Sequence, residues 1–186
     1  MYVIVGLGNP GRRYENTRHN VGFIALDQLA EKYSIKVEKK KHKALIGEGR
    51  IGTEKVILVK PQTYMNLSGE SVRSIFRYYS IAPEQLIVIY DDIDIPLGTL
   101  RIRQQGGPGT HNGMRSIINL LLDDSFPRVR IGVGGERGDV PLASYVTSGF
   151  KKEDVSTIEN TILRAVDAVS SIVTDGIVLA MTKYNG

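Results

Sequence analysis

Along the chain, short aliphatic and β-branched runs alternate with stretches whose apolar residues recur every three or four positions. YVIV (2–5), KALIGEGRI (43–51), KVILVK (55–60), LIVIY (86–90), TLRIRQ (99–104) and RVRIGVG (128–134) read as strands. Ile51-Gly52-Thr53-Glu54-Lys55 separates two of them and predicts a hairpin, so part of the sheet is expected to be antiparallel. VGFIALDQLAEKY (21–33), SGESVRSIFRYY (68–79) and MRSIINLLL (114–122) carry the spacing of amphipathic helices. Val155, Ile158, Ile162, Val166, Val169 and Val173 continue at intervals of three or four, a long helix with acidic residues near its start. Strands separated by helices predict an α/β fold: a single domain over 1–186, with a mixed β-sheet flanked by helices. Residues 134–150, GGERGDVPLASYVTSGF, are polar, glycine-rich and aperiodic, which predicts a mobile loop.

Composition narrows the class. With 186 residues the chain can bury a core unaided, and 41% hydrophobic with 24% charged residues is ordinary for a globular protein. There is no cysteine, which excludes disulfides, thiolate metal sites and a cysteine nucleophile. No apolar run approaches the roughly 20 residues of a membrane span, and MYVIVGLG lacks the form of a secretory signal. A cytoplasmic protein without membrane contact is the expectation. A net charge of +4 tilts the partner list toward polyanions. KYSIKVEKKKHK (32–43) concentrates part of that charge, in the manner of a solvated face.

The opening YVIVGLGNPGRRYENTRHN spells G-x-G-x-x-G through Gly6, Gly8 and Gly11 directly after a strand. A dinucleotide site needs a helix to begin inside that turn, with its N-terminus facing the pyrophosphate. Here Pro10-Gly11 intervenes and the helical pattern starts only near Val21. The fingerprint's acidic residue is also misplaced, because Asp27 falls within a helix. The dinucleotide reading fails. What remains is a strand releasing Asn9 into an Asn-Pro-Gly turn, and a loop returning His19 to the end of the sheet, where open α/β folds bind ligands.

Other strand ends deliver polar groups too. KVILVKPQTYMN leads into Tyr64, Met65 and Asn66, just before a helix that Ser68 is placed to cap. LIVIYDDIDIPLG carries Asp91, Asp92 and Asp94 at its end, and GGPGTHNG sets His111 and Asn112 before another helix. Neither G-x-S-x-G nor HExxH occurs. The set suits general-base hydrolysis: a neutral imidazole takes a proton from water while an aspartate holds its other nitrogen. Carboxamides orient a substrate without adding charge and donate to a developing oxyanion. Asparagines and aspartates in turns most often bond their own backbone, so expected convergence at one sheet edge is what favours a site.

GLGNPGRRYENTRHNVGF, KPQTYMNLSG, YDDIDIPLG, GGPGTHNGMRSI and RVRIGVG, in this order, resemble the bacterial peptidyl-tRNA hydrolase family. The similarity runs from residue 2 to near the C-terminus. It implies a monomeric, cofactor-free esterase without a metal or an obligate protein partner, cleaving the bond between a peptide and the 3′ ribose of tRNA. It implies His19 as the catalytic base and Asp91 as the carboxylate that stabilises it. Asn9 would distinguish blocked from free aminoacyl-tRNA. Tyr14, Tyr64, Met65, Asn66, His111 and Asn112 would line the substrate site, with Met65 as an apolar wall. Arg103 and Arg130 would meet the tRNA 5′-phosphate, and 134–150 would form a lid over the peptide. Many relatives have glycine where this chain has Thr110 and leucine where it has Met114, and Pro108 stiffens the same turn. Two rivals stay open at this point: an RNA-binding protein of the same fold without hydrolysis, and a metal-dependent hydrolase using Asp91, Asp92 and Asp94.

Overall fold

The computed structural model describes residues 1–185. The strands β1 (Tyr2–Gly6), β2 (Lys39–Lys41), β3 (Ala44–Ile51), β4 (Glu54–Pro61), β5 (Leu86–Pro96), β6 (Leu100–Arg103) and β7 (Arg128–Gly134) form one sheet. Their order is β2-β3-β4-β1-β5-β7-β6. The centre is parallel (β4, β1, β5, β7), whereas β2, β3 and β6 join antiparallel to their neighbours. The mixed sheet and the β3–β4 hairpin thus agree with the hydrophobic pattern.

Alternation along the central strands builds two cores. Ile4, Val56, Leu58, Ile87, Ile89, Val129 and Ile131 face the helices α1 (Val21–Lys32) and α5 (Val155–Asp175), and α6 (Ile177–Tyr184) packs beside them. Val3, Val5, Ile57, Val59, Val88 and Tyr90 face α2 (Ser68–Tyr79) and α3 (Asn112–Leu121). A sheet covered on both faces has continuous apolar strands, which is why 2–5, 55–60 and 86–90 read so clearly. No helix among the described residues is long and apolar enough to cross a membrane.

Three elements escape the pattern. β2 is three exposed lysines on the sheet's edge, where charge discourages pairing with another chain rather than marking a core face. α4 (Leu142–Val146) is a five-residue helix inside 134–150, too short to show a period. α6 follows Gly176 as a separate helix after the long α5. β5 also extends to Pro96, so Asp91, Asp92 and Asp94 lie within a strand rather than beyond its end.

The glycines of the opening motif serve packing, not phosphate. A Cβ on Gly6 would collide with the Gly22 carbonyl oxygen, and one on Gly8 would lie 2.5 Å from the Phe23 ring. Gly22 in turn sits where a Cβ would come within 2.5 Å of the carbonyl oxygens of Leu7 and Ile89. The first turn of α1 therefore lies directly on the ends of β1 and β5. Gly22→Ala must push backbone against backbone, and overpacking of this kind costs about 2–3 kcal/mol. The expected fall in Tm is about 4–12 °C for a domain of this size, read by thermal denaturation.

Candidate active site

The loop Arg18–Asn20, one turn of 3-10 helix, enters α1 from beside the end of β5. The pleat turns Asp91, the partner of Ile131 in the ladder, toward the face that carries α1, where His19 meets it. His19 Nδ1 lies 2.8 and 3.0 Å from the two Asp91 oxygens. From the other side of the sheet, His111 at the start of α3 places Nε2 2.9 Å from Asp91 Oδ1. His19, Asp91 and His111 are all buried.

The protons of this trio follow from the bonding pattern. His111 caps α3, its Nδ1 accepting from the Met114 backbone N–H at 3.2 Å. That nitrogen must carry a lone pair, so Nε2 carries the hydrogen and donates it to Asp91. Asp91 also accepts from His19 Nδ1–H, which leaves the lone pair of His19 on Nε2. Nε2 of His19 makes no hydrogen bond to the described residues, and His19 lines a cavity of about 450 Å³. Burial pushes the Asp91 carboxyl up, but the facing imidazoles of His19 and His111 outweigh it and hold the group well below the usual carboxylate range.

Asn9 is held by Asn20, which the sequence reading did not single out. The Asn20 side-chain amide accepts from the Asn9 N–H at 2.8 Å and donates to the Asn9 carbonyl at 2.9 Å. Asn9 Oδ1 accepts from the Met65 N–H at 2.7 Å. Its Nδ2 has no hydrogen bond among the described residues and remains as a donor. The Met65 N–H follows Tyr64, whose backbone sits at φ 64°, ψ 158°. Such a conformation costs a non-glycine residue about 1–3 kcal/mol, and it persists where the surroundings over-determine it, as here through Asn9.

The other expected site residues fall into two groups. His19, Asp91, His111, Asn112 and Arg130 line the cavity together, joined by the turn Gly107–Thr110 and by Leu142, Ala143 and Val146 of α4. Asn9, Tyr14, Tyr64, Met65, Asn66 and Arg103 lie outside that lining. Met65 is buried beneath the first turn of α3, where a Cβ on Gly113 would meet its sulfur. Tyr64, Asn66 and Asn112 are exposed, and Asn112 Oδ1 accepts from Arg115. Tyr14 is half-buried under the Arg13 guanidinium, 4.7 Å from its ring centroid. Ser68 does not cap α2: its hydroxyl donates back to the Met65 carbonyl.

The three aspartates do not converge on a metal. Asp92, on the opposite face from Asp91, is 2.8 Å from Arg130, and Asp94 is exposed. The one group of ligand-type side chains among the described residues is His19, Asp91 and His111, whose ligand atoms lie within 4.8 Å of one another. Those atoms are already joined through N–H···O bonds, an arrangement for sharing protons.

Two buried arginines, also missed by the sequence reading, shape the walls. Arg128 on β7 donates to the carbonyls of Gly106, Gly107, Asp124 and Phe126 and so folds the turn leading to His111. Arg18 binds the carbonyls of Tyr145, Ser148 and Gly149 at the end of α4. Neither has a carboxylate partner among the described residues. No pattern of residue types marks a guanidinium that will be satisfied by carbonyls.

The family model for peptidyl-tRNA hydrolase matches residues 3–186. The chain belongs to the peptidyl-tRNA hydrolase family. Among curated peptidyl-tRNA hydrolases, that of Alkaliphilus oremlandii is 58% identical over 187 residues, covering all of both chains. The one from Thermoanaerobacter sp. (strain X514) is 52% identical over 186 residues, again in full. The crystal structure of peptidyl-tRNA hydrolase from Acinetobacter baumannii matches with a TM-score of 0.94 at 36% identity, covering 100% of this chain and 95% of that one. As a member of the peptidyl-tRNA hydrolase family the chain is a hydrolase, and the single mixed sheet with flanking helices is the fold of the family.

Proposed function

We propose that the chain cleaves the ester between a peptide, or an N-blocked amino acid, and the 3′ ribose of tRNA, with His19 as general base. The observation that carries the reading is the direction of the hydrogen bonds around Asp91, which leaves one basic nitrogen facing the cavity. Nε2 of His19 takes a proton from water, the water oxygen attacks the ester carbonyl, and the imidazolium returns the proton to the departing ribose oxygen. Asp91 holds the ring in the competent tautomer and stabilises the imidazolium. The developing oxyanion is met by side-chain amides, for which Asn66 and Asn112 are the candidates. Asn9 Nδ2 is a donor suited to a peptide carbonyl, and its fixed orientation favours an N-acylated substrate over a free amine. Tyr14, Tyr64, Met65 and His111 complete the substrate surroundings, and residues 134–150 act as the lid over the peptide. In this reading tRNA is the macromolecular partner of a cytoplasmic monomer that uses no cofactor.

Purified protein is expected to release the acyl group from N-acetyl-aminoacyl-tRNA and to leave unblocked aminoacyl-tRNA intact. Binding of the tRNA without hydrolysis would favour the RNA-binding alternative. Arg103 is exposed and Arg130 half-buried on the same face of β6 and β7; the Arg103 guanidinium, with no carboxylate partner among the described residues, suits a phosphate, whereas Arg130 shares two of its nitrogens with Asp92 and offers the third. Arg103→Gln is expected to weaken tRNA binding and to flatten its dependence on log salt by about one unit per lost phosphate contact. An unchanged slope would remove Arg103 from the tRNA site.

A further inference from the structure

We propose that Arg18 is a positioning residue that fixes the α4 wall of the cavity relative to the catalytic loop, and so governs how the acyl part of the substrate is held. The inference rests on reading residues 134–150 as a lid. Arg18 immediately precedes His19, yet its side chain turns away from the catalytic trio and into the segment 145–149. One terminal nitrogen reaches the carbonyls of Tyr145 (3.2 Å), Ser148 (3.3 Å) and Gly149 (2.9 Å), and the Ser148 hydroxyl. Its planar head lies 4.1 Å from the Tyr145 ring centroid and 5.3 Å from that of Phe150. The Arg18 N–H donates to the Ser148 carbonyl, and Thr17 pairs with Gly149 in an isolated β-bridge.

This arrangement is a connector, not a simple core contact. Only 7% of Arg18 is exposed, and with no carboxylate beside it among the described residues the charge is balanced by carbonyl dipoles and ring faces. Those acceptors come almost entirely from one short segment, the end of α4 and the residues after it. The opposite end of that helix presents Leu142 and Ala143, with Val146 one turn on, to the cavity that His19 lines. Tyr145 adds a second tether, its hydroxyl donating to the Val133 carbonyl at 2.9 Å. Without the guanidinium, the Gly149 carbonyl loses its donor, the Ser148 and Tyr145 carbonyls keep only their local ones, and α4 is left with the Tyr145 tether and the backbone pairing. His19 does not depend on Arg18 for its own orientation, because Asp91 holds its ring and the Asn20–Asn9 bonds hold its loop. Lysine cannot substitute: a compact ammonium lacks the planar face that Arg18 sets over the Tyr145 ring.

The consequence is a separation of kinetic effects. Arg18→Lys and Arg18→Ala are expected to raise KM for N-acetyl-aminoacyl-tRNA about 10-fold or more while kcat changes less than about 3-fold. Guanidinium ion added at millimolar concentration is expected to lower KM again in Arg18→Ala and to leave the wild-type protein unaffected. Trypsin cleavage after the exposed Arg137, in the same segment, should accelerate in both variants, a readout that needs no activity. A parallel fall in kcat and Tm with KM unchanged would overturn the proposal, and so would unaltered cleavage at Arg137. If the wild-type protein fails to hydrolyse the blocked substrate, the function falls, while the cleavage rate still reports whether Arg18 holds the segment.

Discussion

His19→Ala is expected to lower kcat for N-acetyl-aminoacyl-tRNA by about 10²–10⁴-fold, the range that general-base catalysis contributes. Among the described residues lining the cavity, no other side chain offers a free basic nitrogen. His111 points Nε2–H at Asp91 and commits Nδ1 to the Met114 N–H, so both of its nitrogens are occupied. The fold is expected to survive, because Asp91 retains His111 and the central strands are untouched; circular dichroism and thermal denaturation check this. Turnover retained above about a tenth of wild type would remove His19 from the role of base. Rapid-quench analysis during turnover is expected to find no peptide esterified to protein, since the cavity presents no activated hydroxyl; a trapped acyl-enzyme would contradict direct attack by water.

Asp91→Asn is expected to be nearly as damaging, for a reason that lies in the proton count. Asp91 accepts two N–H donors, whereas asparagine offers one oxygen and one NH2 group. His111 has no choice of tautomer, because the first turn of α3 requires its Nδ1 lone pair, and so it claims the amide oxygen at the Oδ1 position. The NH2 then occupies the Oδ2 position, 2.8 Å from His19 Nδ1. A donor there forces His19 to accept at Nδ1 and to carry its hydrogen on Nε2, the nitrogen that must be bare to act. The expected loss in kcat is about 10²–10⁴-fold with the fold retained. A kcat within a few-fold of wild type would show that tautomer control is not what Asp91 supplies. The same substitution has a signature in acid. The folded pKa of Asp91 lies below its unfolded value, so the carboxylate's contribution to stability is present above about pH 3.9 and fades as pH falls further. The Tm gap between wild type and Asp91→Asn is therefore expected to narrow below that pH.

The parts of the fold that the sequence announced are those whose burial leaves a period. Residues 86–90 alternate between two cores and 155–173 turn one stripe inward, so both were legible. β2 carries no such mark because an edge of lysines has no buried side, and α4 is shorter than one pattern of recurrence needs. Within the site, His19 and Asp91 stood out by residue type and resemblance. Asn20, Arg18 and Arg128 did not, because each acts on backbone groups, and backbone acceptors have no letter in the sequence. The role of the glycines was hidden for a related reason: what matters about Gly6, Gly8 and Gly22 is which atoms occupy the space beside them.

That space bears on chemistry as much as on stability. His19 stands three residues before Gly22, on the piece of chain that enters α1, while Asp91 belongs to β5, whose Ile89 carbonyl touches Gly22. The distance from imidazole to carboxylate is thus gauged by three missing methyl groups. A Cβ on Gly22 would meet the Leu7 and Ile89 carbonyl oxygens at 2.5 Å, so the seam must open by roughly 1 Å, which is enough to stretch a 2.8 Å bond past hydrogen-bonding range if His19 moves with it. In this molecule the aim of the imidazole is calibrated by omission, and a side chain at any of these glycines is expected to disturb the His19–Asp91 pair along with the packing.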